Sequence, residues 1–329
     1  MSHQIIDLFA GPGGRDEGLR MVGRSDVLGI EWDTSACNTA RAAGHDRLQA
    51  DVAALDPGDF RGSGVEGVVA SPPCQGFSPA GAGRSRSDAH LLMKAIGDIA
   101  LGRDPRADLH ASMNDDRSVL VLEPLRWALE LRPEWLDWEQ VPVVLPLWEA
   151  CAAVLAECGY STWAGLVGAE QYGVPQSRTR AKLLASRQGR VTRPVATHSR
   201  YYPKTPYRLD PGLPAWVSMG EALGWGMPPL EWVYRTSTMP RATRRTLDLP
   251  APTIAFGNDA NSAGWLHGDD HFRVTVTEAA VLQSFPSDYP WRGSQTDQYR
   301  QVADAVPPLM DAHCFQALGV GSLVSARAA

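Results

Sequence analysis

The chain has 329 residues, 44% of them hydrophobic and 21% charged, and its formal net charge is −6. This composition is typical of a globular protein with room for a large domain and a smaller one, and it excludes a low-complexity chain. No apolar stretch approaches the length of a membrane span. The five cysteines show no CxxC spacing, so we expect no metal site, no disulfide framework and a reducing, cytoplasmic setting.

The amino-terminal segment has the pattern of a nucleotide-binding unit. Residues 4–9 form a predicted strand, so we expect no signal peptide, and they lead into the turn Ala10-Gly11-Pro12-Gly13-Gly14 and a helical stretch. Glycines in such a turn let the backbone approach a ligand. A second predicted strand, residues 25–30, ends at Glu31 and Trp32. An acid about twenty residues after the turn can accept hydrogen bonds from ribose hydroxyls. Trp32 can stack on a base, although a surface acid and a core aromatic would give the same pattern.

The next two predicted strands end in candidate site residues. Residues 48–52 place Asp51 at a strand tip, where its carboxylate could contact an adenine amino group. Residues 65–70 run into Ser71-Pro72-Pro73-Cys74. Proline fixes φ and donates no backbone hydrogen bond, so the double proline ends the strand and stiffens the position of Cys74. The carboxyl end of a strand is where open α/β sheets bind ligands, and a rigidly held cysteine there suits a nucleophile. The alternative is a small buried hydrophobic residue, as most free cysteines are.

Charged residues follow in the second half of the chain. Glu139 lies near the end of a predicted strand, residues 134–142, and Arg178 and Arg180 precede another, residues 181–186. Taken alone, such an arginine pair could be surface charge on an edge strand.

Residues 187–272 differ from the rest of the chain. They carry ten Lys or Arg against seven Asp or Glu, and residues 187–250 are rich in Pro, Trp, Tyr and Arg and show little periodicity. A locally basic segment on an acidic chain can be an electrostatic footprint for phosphates, and a solvated surface fits equally well. After residue 250, residues 252–256 predict a strand, and Thr277 is a candidate N-cap of the next helix.

Together these motifs resemble the cytosine-C5 DNA methyltransferase family, in order and over nearly the whole chain. The matching segments are Asp7-Leu8-Phe9-Ala10-Gly11-Pro12-Gly13-Gly14, Pro72-Pro73-Cys74 with Gln75 and Phe77-Ser78, Glu139-Gln140-Val141-Pro142, Gln176-Ser177-Arg178-Thr179-Arg180, Pro252-Thr253-Ile254, and Thr277-Glu278 through Leu282-Gln283-Ser284-Phe285-Pro286. Two motifs depart from the family pattern. Gln140 replaces the asparagine of Glu-Asn-Val, and Ala303-Asp304 replaces the Gly-Asn of Gly-Asn-Ala-Val-Pro-Pro.

The resemblance implies an α/β fold, with a Rossmann-like sheet of the S-adenosylmethionine-dependent methyltransferases and a small, irregular target-recognition domain. We expect residues 1–186 to form the catalytic and cofactor-binding domain, residues 187–272 the target-recognition domain, and residues 273–329 a segment that returns to complete the first. The expected protein is a monomer that acts on double-stranded DNA with S-adenosylmethionine, without a metal or a membrane.

The resemblance also implies roles for individual residues. Cys74 would add as a thiolate to C6 of a cytosine flipped out of the duplex, and C5 would then take the methyl group. Glu139 would hydrogen-bond N3 and the N4 amino group as an acid, Arg180 would hold O2, and Arg178 would orient Glu139 or bind phosphate. The implied cofactor contacts are Phe9, Gly11, Gly13, Glu31, Trp32, Asp51, Val52, Pro72, Asp304 and Ala305. The implied DNA contacts are Gln75, Ser78, Gln176 and Thr253.

Several alternatives stay open at this point. An RNA cytosine methyltransferase would carry the same motifs, and Asp304 is compatible with an altered cofactor or a transferred group other than methyl. A catalytically silent DNA-binding protein would not need Cys74, Glu139 or the arginines, and a small-molecule methyltransferase would leave the cysteine motif unexplained. A restriction-enzyme partner, an orphan regulator and a phage self-protection enzyme are all compatible with the motifs.

Overall fold

The fold is known from a computed structural model, which describes residues 3–73, 77, 88–225, 232–236, 242–256 and 264–324. Three of the predicted site residues, Cys74, Gln75 and Ser78, lie outside the described residues. No helix within the described ranges is long and apolar enough to cross a membrane.

A seven-stranded sheet forms the centre of the molecule. Its strands are β1 (Ile5–Leu8), β2 (Val27–Glu31), β3 (Asp46–Gln49), β4 (Gly67–Ala70), β5 (Trp135–Gln140), β6 (Ser161–Gly168) and β8 (Thr179–Ser186). The short β7 (Gln176–Ser177) precedes β8 in the chain and is not part of this sheet. The spatial order is β3-β2-β1-β4-β5-β8-β6. The first five strands are parallel, whereas β8 runs antiparallel to both β5 and β6. The α/β fold predicted from the sequence is therefore confirmed.

Helices cover both faces of this sheet. The α-helices of the described residues, some of which pack elsewhere, are α1 (Gly14–Met21), α2 (Thr34–Ala42), α3 (Ala89–Ala100), α4 (Arg106–Ser112), α5 (Glu123–Leu131), α6 (Leu145–Glu157), α7 (Met219–Ala222), α8 (Val276–Leu282), α9 (Gln295–Asp304) and α10 (Pro308–Ala317). On one face, alternate strand residues pack against α3, α5 and α6, and on the other face they pack against α1 and α10. Central parallel strands are buried on both faces, which explains their continuous apolar runs.

Helix α1 lies unusually close to the chain that begins α10. A Cβ atom on Gly14 would lie 2.3 Å from the backbone oxygen of Val306, and one on Gly18 would lie 2.8 Å from that of Pro308. Both distances are too short for any side chain, so glycine is required at these two positions. The carboxyl-terminal segment thus completes the sheet's α1 face, next to the glycine turn.

The segment predicted to be irregular contains a second sheet. Residues 187–218 have neither helix nor strand, but four antiparallel strands follow in the order β10-β9-β12-β13. These strands and the short β11 are β9 (Trp232–Arg235), β10 (Arg244–Thr246), β11 (Ala251–Pro252), β12 (Gly264–His267) and β13 (Asp270–Arg273). The prediction of a strand over residues 252–256 is wrong, because only Pro252 of that range belongs to a strand. It is the last residue of β11, which pairs with β7. The second sheet shares one apolar core with α8 and α9.

The amino end of α8 also differs from the prediction. Thr275, rather than Thr277, is the N-cap: its side chain accepts a hydrogen bond from the Glu278 N–H, and the Glu278 carboxylate accepts one from the Thr275 N–H. This reciprocal pair satisfies two backbone donors that the helix leaves open. The sequence does carry a signal for Thr275, because a glutamate follows it by three residues, whereas Ala280 holds the equivalent position after Thr277.

The capping arrangement predicts unequal effects of two matched substitutions. Thr275→Ala should lower the free energy of unfolding by about 1 kcal/mol, because the cap is lost. Thr277→Ala, two residues away, should change it by less than about 0.5 kcal/mol, as exposed substitutions usually do. Urea unfolding of both variants beside the unaltered protein measures the difference. Equal effects of the two substitutions would show that the cap contributes nothing.

Candidate functional site

The glycine turn after β1 has a strained backbone. Phe9 has φ +59°, Gly11 +55° and Gly13 +111°, and a non-glycine residue in this left-handed region is uncommon and often marks a functional turn. A Cβ on Gly13 would meet the hydroxyl of Tyr289 at 2.6 Å, whereas a Cβ on Gly11 would have no described atom within 4 Å. The turn is therefore closed behind Gly13 and open at Gly11, where a ligand could approach.

Side chains from three other segments hold this turn in place. The Tyr289 hydroxyl donates to the Pro12 carbonyl at 2.6 Å, and the Arg47 Nε donates to that of Gly11 at 3.4 Å. Arg47 is itself fixed by an ion pair with Asp16 of α1, with Nη2 and Oδ2 2.6 Å apart. Burial alone would raise the pKa of Asp16, but the Arg47 guanidinium holds it below its ordinary value. The turn is thus rigid before any ligand binds.

The predicted cofactor residues at the ends of β2 and β3 differ in their contacts and in their exposure to solvent. The Glu31 carboxylate accepts hydrogen bonds from the N–H groups of Gly11, Trp32 and residue 33, and a carboxylate has about four acceptor positions, so capacity for a hydroxyl remains. Trp32 is 73% exposed. Asp51 is also exposed and caps the short turn that follows it. Val52 has its side chain buried in the core, so a cofactor could reach only its backbone.

Three hydrogen bonds hold the chain that leads from β4 towards Cys74. The Ser71 N–H donates to the Leu8 carbonyl at 3.3 Å. The Arg15 guanidinium donates to the Ala70 carbonyl at 3.0 Å, and the Gln140 Nε2 donates to the Pro72 carbonyl at 2.7 Å. Gln140, which stands where the family has asparagine, therefore holds the buried Pro72 in place.

Glu139 and Arg180 form a buried ion pair on neighbouring strands. The Arg180 Nε lies 2.8 Å from the Glu139 Oε1, and both side chains are largely removed from solvent. Among the described residues, this Oε1 accepts no hydrogen bond of good geometry. Arg180 also donates from Nη1 to its own neighbour, the Thr179 carbonyl, at 2.8 Å. The pair therefore offers an acceptor and a fixed cation on one side of the β4 end.

Two predicted roles in the Gln176–Arg180 motif need correction. Arg178 is buried and donates to the carbonyls of Ile254, Ala303 and Ala305 at 3.0–3.3 Å, whereas the ion pair with Glu139 is made by Arg180. Gln176 is also fully buried. Its amide donates to the Leu282 carbonyl and the Gln283 side chain and accepts from the Ile254 N–H. It ties the segments together and has no surface for a direct DNA contact.

Thr253 and the end of α9 complete the predicted site. The Thr253 hydroxyl is half-buried and donates to the Ser177 carbonyl at 3.3 Å. Ala305 is buried, whereas the Asp304 side chain reaches solvent. Desolvation by the surrounding protein raises the pKa of Asp304, while Arg178, Arg300 and Arg180 act in the opposite direction. One turn earlier on α9, Arg300 pairs with Asp33, the residue after Trp32.

Sequence reasoning missed a set of charged side chains beneath the sheet. Arg15, Asp137, Lys182 and Asp311 form a buried ion cluster, and their side chains are at most 2% exposed. Asp137, Asp311 and Cys314 are close enough to hold a metal ion, but the Lys182 ammonium already contacts both carboxylates. One signal in the sequence could have revealed this cluster. Asp137 and Lys182 are charged residues within two predicted strands whose other residues are mostly apolar.

Comparison with known proteins identifies a family for this chain. The family described as C-5 cytosine-specific DNA methylase matches residues 3–211 and 229–319. The type II methyltransferase M1.HphI of Haemophilus parahaemolyticus is 27% identical, over 94% of this chain and 85% of that protein. M.DdeI of Desulfomicrobium norvegicum is 26% identical, over 93% and 86%. The solved structure of the S. pombe Dnmt2 methyltransferase matches with a TM-score of 0.60 at 15% identity, covering 95% of this chain and 97% of that one, a likeness of fold.

Proposed function

This chain belongs to the C-5 cytosine-specific DNA methylase family, and from that membership we propose that it methylates C5 of a cytosine in double-stranded DNA. The methyl donor is S-adenosylmethionine and the nucleophile is Cys74. The observation that carries the proposal is the arrangement of β4 and β5. The residues leading to Cys74 are held by hydrogen bonds, and the Glu139–Arg180 pair lies at the end of the next strand.

The residues around the glycine turn fit S-adenosylmethionine. When bound, this cofactor supplies an electrophilic methyl group on a sulfonium. Trp32 has the exposed ring that an adenine could stack on, and Glu31 keeps acceptor capacity for ribose hydroxyls. The open space at Gly11 admits a ligand close to the backbone. Asp304 is within electrostatic reach of three arginines and of Asp33, and a carboxylate at this place would favour a cationic sulfonium.

The reaction that we propose uses the cysteine to activate the ring. The Cys74 thiolate adds to C6 and breaks the C5=C6 double bond, so that C5 becomes nucleophilic and takes the methyl group. The S–CH3 bond of the donor would break with its electron pair left on sulfur, so that the leaving group would be a neutral thioether. A base then removes the C5 proton, and the thiolate leaves as the double bond re-forms. Glu139 would stabilise the ring through N3 and the N4 amino group, and Arg180 would hold O2. The target base must leave the duplex, because its ring carbons are inaccessible in the stack.

The second sheet has a surface suited to the DNA backbone. Strand pairing places Arg244 directly opposite Arg235, and Gly264 lies between Arg235 and Arg273 in the same row. Like charges directly opposite each other destabilise a sheet. A bound polyanion would offset the repulsion within this row of arginines. Neutralising phosphates is also the main source of affinity for DNA. Because both curated relatives are named type II methyltransferases, we favour a restriction–modification role.

The cofactor assignment predicts an effect of one exposed tryptophan. Trp32→Ala should weaken binding of S-adenosylmethionine by about 10- to 100-fold, because stacking of a base on an aromatic ring contributes roughly 1–3 kcal/mol. Calorimetric titration without DNA measures this dissociation constant. Phe272→Ala is the matched control, since Phe272 is also an exposed aromatic (48%) but lies on β13. Unchanged affinity in Trp32→Ala would remove Trp32 from the cofactor site.

Incubation with S-adenosylmethionine, followed by digestion to nucleosides and mass spectrometry, tests the proposed function. Duplex DNA and tRNA are offered in parallel. Methyl gain on deoxycytidine supports the proposal, and gain on cytidine alone would replace it with an RNA methyltransferase. A heavier deoxycytidine adduct from cellular DNA, without methylcytosine, would point to Asp304 and a different donor. Intact DNA binding without any modification would favour a silent DNA-binding protein.

A further inference from the structure

The buried ion cluster lies on the α1 and α10 side of the sheet. The Lys182 Nζ is 2.5 Å from the Asp137 Oδ1 and 2.7 Å from the Asp311 Oδ1. The Arg15 Nη1 is 3.4 Å from the Asp311 Oδ2 and 3.7 Å from the Asp137 Oδ1. Each carboxylate is therefore shared by one arginine and one lysine, which come from α1 and β8.

The charges of the buried ion cluster balance. Two cations face two carboxylates, and the next buried acid, Asp7, has no hydrogen-bond partner among the described residues. Burial, and after it the Asp16 carboxylate, raises the pKa of Asp7 well above its ordinary value, which favours the uncharged acid. The cluster is thus complete without an ion or ligand from outside.

Stability alone does not account for such a cluster. Removing four charged groups from water costs several kcal/mol per ion, and well-packed apolar side chains in their place are often as stable or more so. What apolar side chains could not supply is the pair of hydrogen bonds that Arg15 makes to the backbone. Its Nη1 donates to the Asp137 carbonyl at 2.9 Å and its Nη2 donates to the Ala70 carbonyl at 3.0 Å.

These two carbonyls belong to neighbouring strands that carry the proposed chemistry. Ala70 is the last residue of β4, four residues before Cys74, and Asp137 precedes Glu139 by two residues on β5. The two strands pair in parallel, with Ala70 beside Trp138. A guanidinium is planar and presents its donors in a fixed fork, so one side chain ties the last residue of β4 to the third residue of β5.

We propose that Arg15 is a positioning residue, which ties the end of β4 to β5 two residues before Glu139, so that Cys74 and Glu139 meet the same base. This inference rests on the proposed function. Because Arg15 directly follows the glycine turn, it also links the cofactor turn to the nucleophile segment. Its loss should slow the chemical step without weakening the binding of DNA or cofactor.

Two charge-matched double variants test this role. Arg15→Met with Asp311→Asn removes one cation and one anion together with both carbonyl hydrogen bonds. Lys182→Met with Asp311→Asn removes the same charges but leaves the Arg15 bonds in place. The first pair should lower the single-turnover methylation rate by about 100-fold, since a misplacement of about 1 Å has that effect. Its dissociation constants for DNA and cofactor should be unchanged, and the second pair should stay close to the unaltered rate.

Amide hydrogen exchange gives a second readout that does not depend on activity. Exchange at residues 67–71 should be faster in the Arg15 pair than in the Lys182 pair. Equal rates and equal exchange in the two pairs would overturn the inference and leave the cluster a purely structural role. If the unaltered protein does not methylate DNA, the proposed function fails. The exchange comparison then still decides whether Arg15 holds the strand ends.

Discussion

Replacing Cys74 by alanine should abolish methyl transfer while DNA binding persists. The thiolate is the group that makes C5 reactive, and alanine offers no other nucleophile at that position. Removing a covalent nucleophile from other enzymes lowers kcat by about 10⁶-fold, so we expect activity below detection. Transfer of a radioactive methyl group to duplex DNA measures the reaction, and a gel-shift titration measures binding.

The control for Cys74→Ala is a second cysteine. Cys158 ends α6 and is half-buried, and it takes no part in the proposed site, so Cys158→Ala should keep full activity. A 5-fluorocytosine at the target gives a positive test. The fluorine cannot leave as a proton does, so the unaltered protein should form a stable covalent complex with this DNA and Cys74→Ala should not. Appreciable methylation by Cys74→Ala would refute covalent catalysis by this residue.

Glu139→Gln should produce the second largest loss, about 10²- to 10⁴-fold in kcat, the usual contribution of a positioned general acid or base. Glutamine keeps the shape of the side chain but cannot deliver a proton to N3. It also removes the charge that faces Arg180 at 2.8 Å, so the guanidinium would lie in the site without its carboxylate. The fall should therefore appear in kcat more than in the affinity for DNA.

A carboxylate just before the same strand provides the comparison for Glu139→Gln. Glu134 is exposed and accepts a hydrogen bond from Gln188. Glu134→Gln makes the same chemical change outside the site, and it should leave kcat unaltered. Single-turnover rates and thermal unfolding of both variants separate a chemical defect from a folding defect. A Glu139→Gln enzyme with near-normal kcat would remove Glu139 from the acid role.

Features carried by consecutive residues were predictable from the sequence. The Pro72-Pro73-Cys74 run, the glycine turn and the strand-ending Glu31 and Glu139 each announce their chemistry within a few residues. Strand positions followed from the same local patterns, because a parallel strand buried on both faces must be apolar over its length. These patterns were sufficient for the α/β fold and the family.

Partners separated widely in the chain were not predictable. Arg178 and Arg180 differ by two residues, yet one donates to carbonyls at 254, 303 and 305 and the other meets Glu139. The contact with Glu139 was expected of Arg178, because no local signal separates two arginines so close in the chain. Only the fold places Arg178 in the break between β7 and β8, and Arg180 on β8. The second sheet was missed for a related reason, since its antiparallel pairs join irregular segments that carry no local periodicity.

The buried ion cluster shows where chain order stops being informative. Arg15, Asp137, Lys182 and Asp311 lie in four different elements, and in sequence each is an ordinary charged residue. A single charged residue in the middle of a strand argues against burial of that strand when its partner is not known. Such residues become compatible with burial only when packing brings opposite charges within ion-pair distance, because an unpaired buried charge is strongly unfavourable. The identity of the reactive groups is local chemistry, whereas the geometry that aligns them depends on long-range contacts that form only in the folded chain.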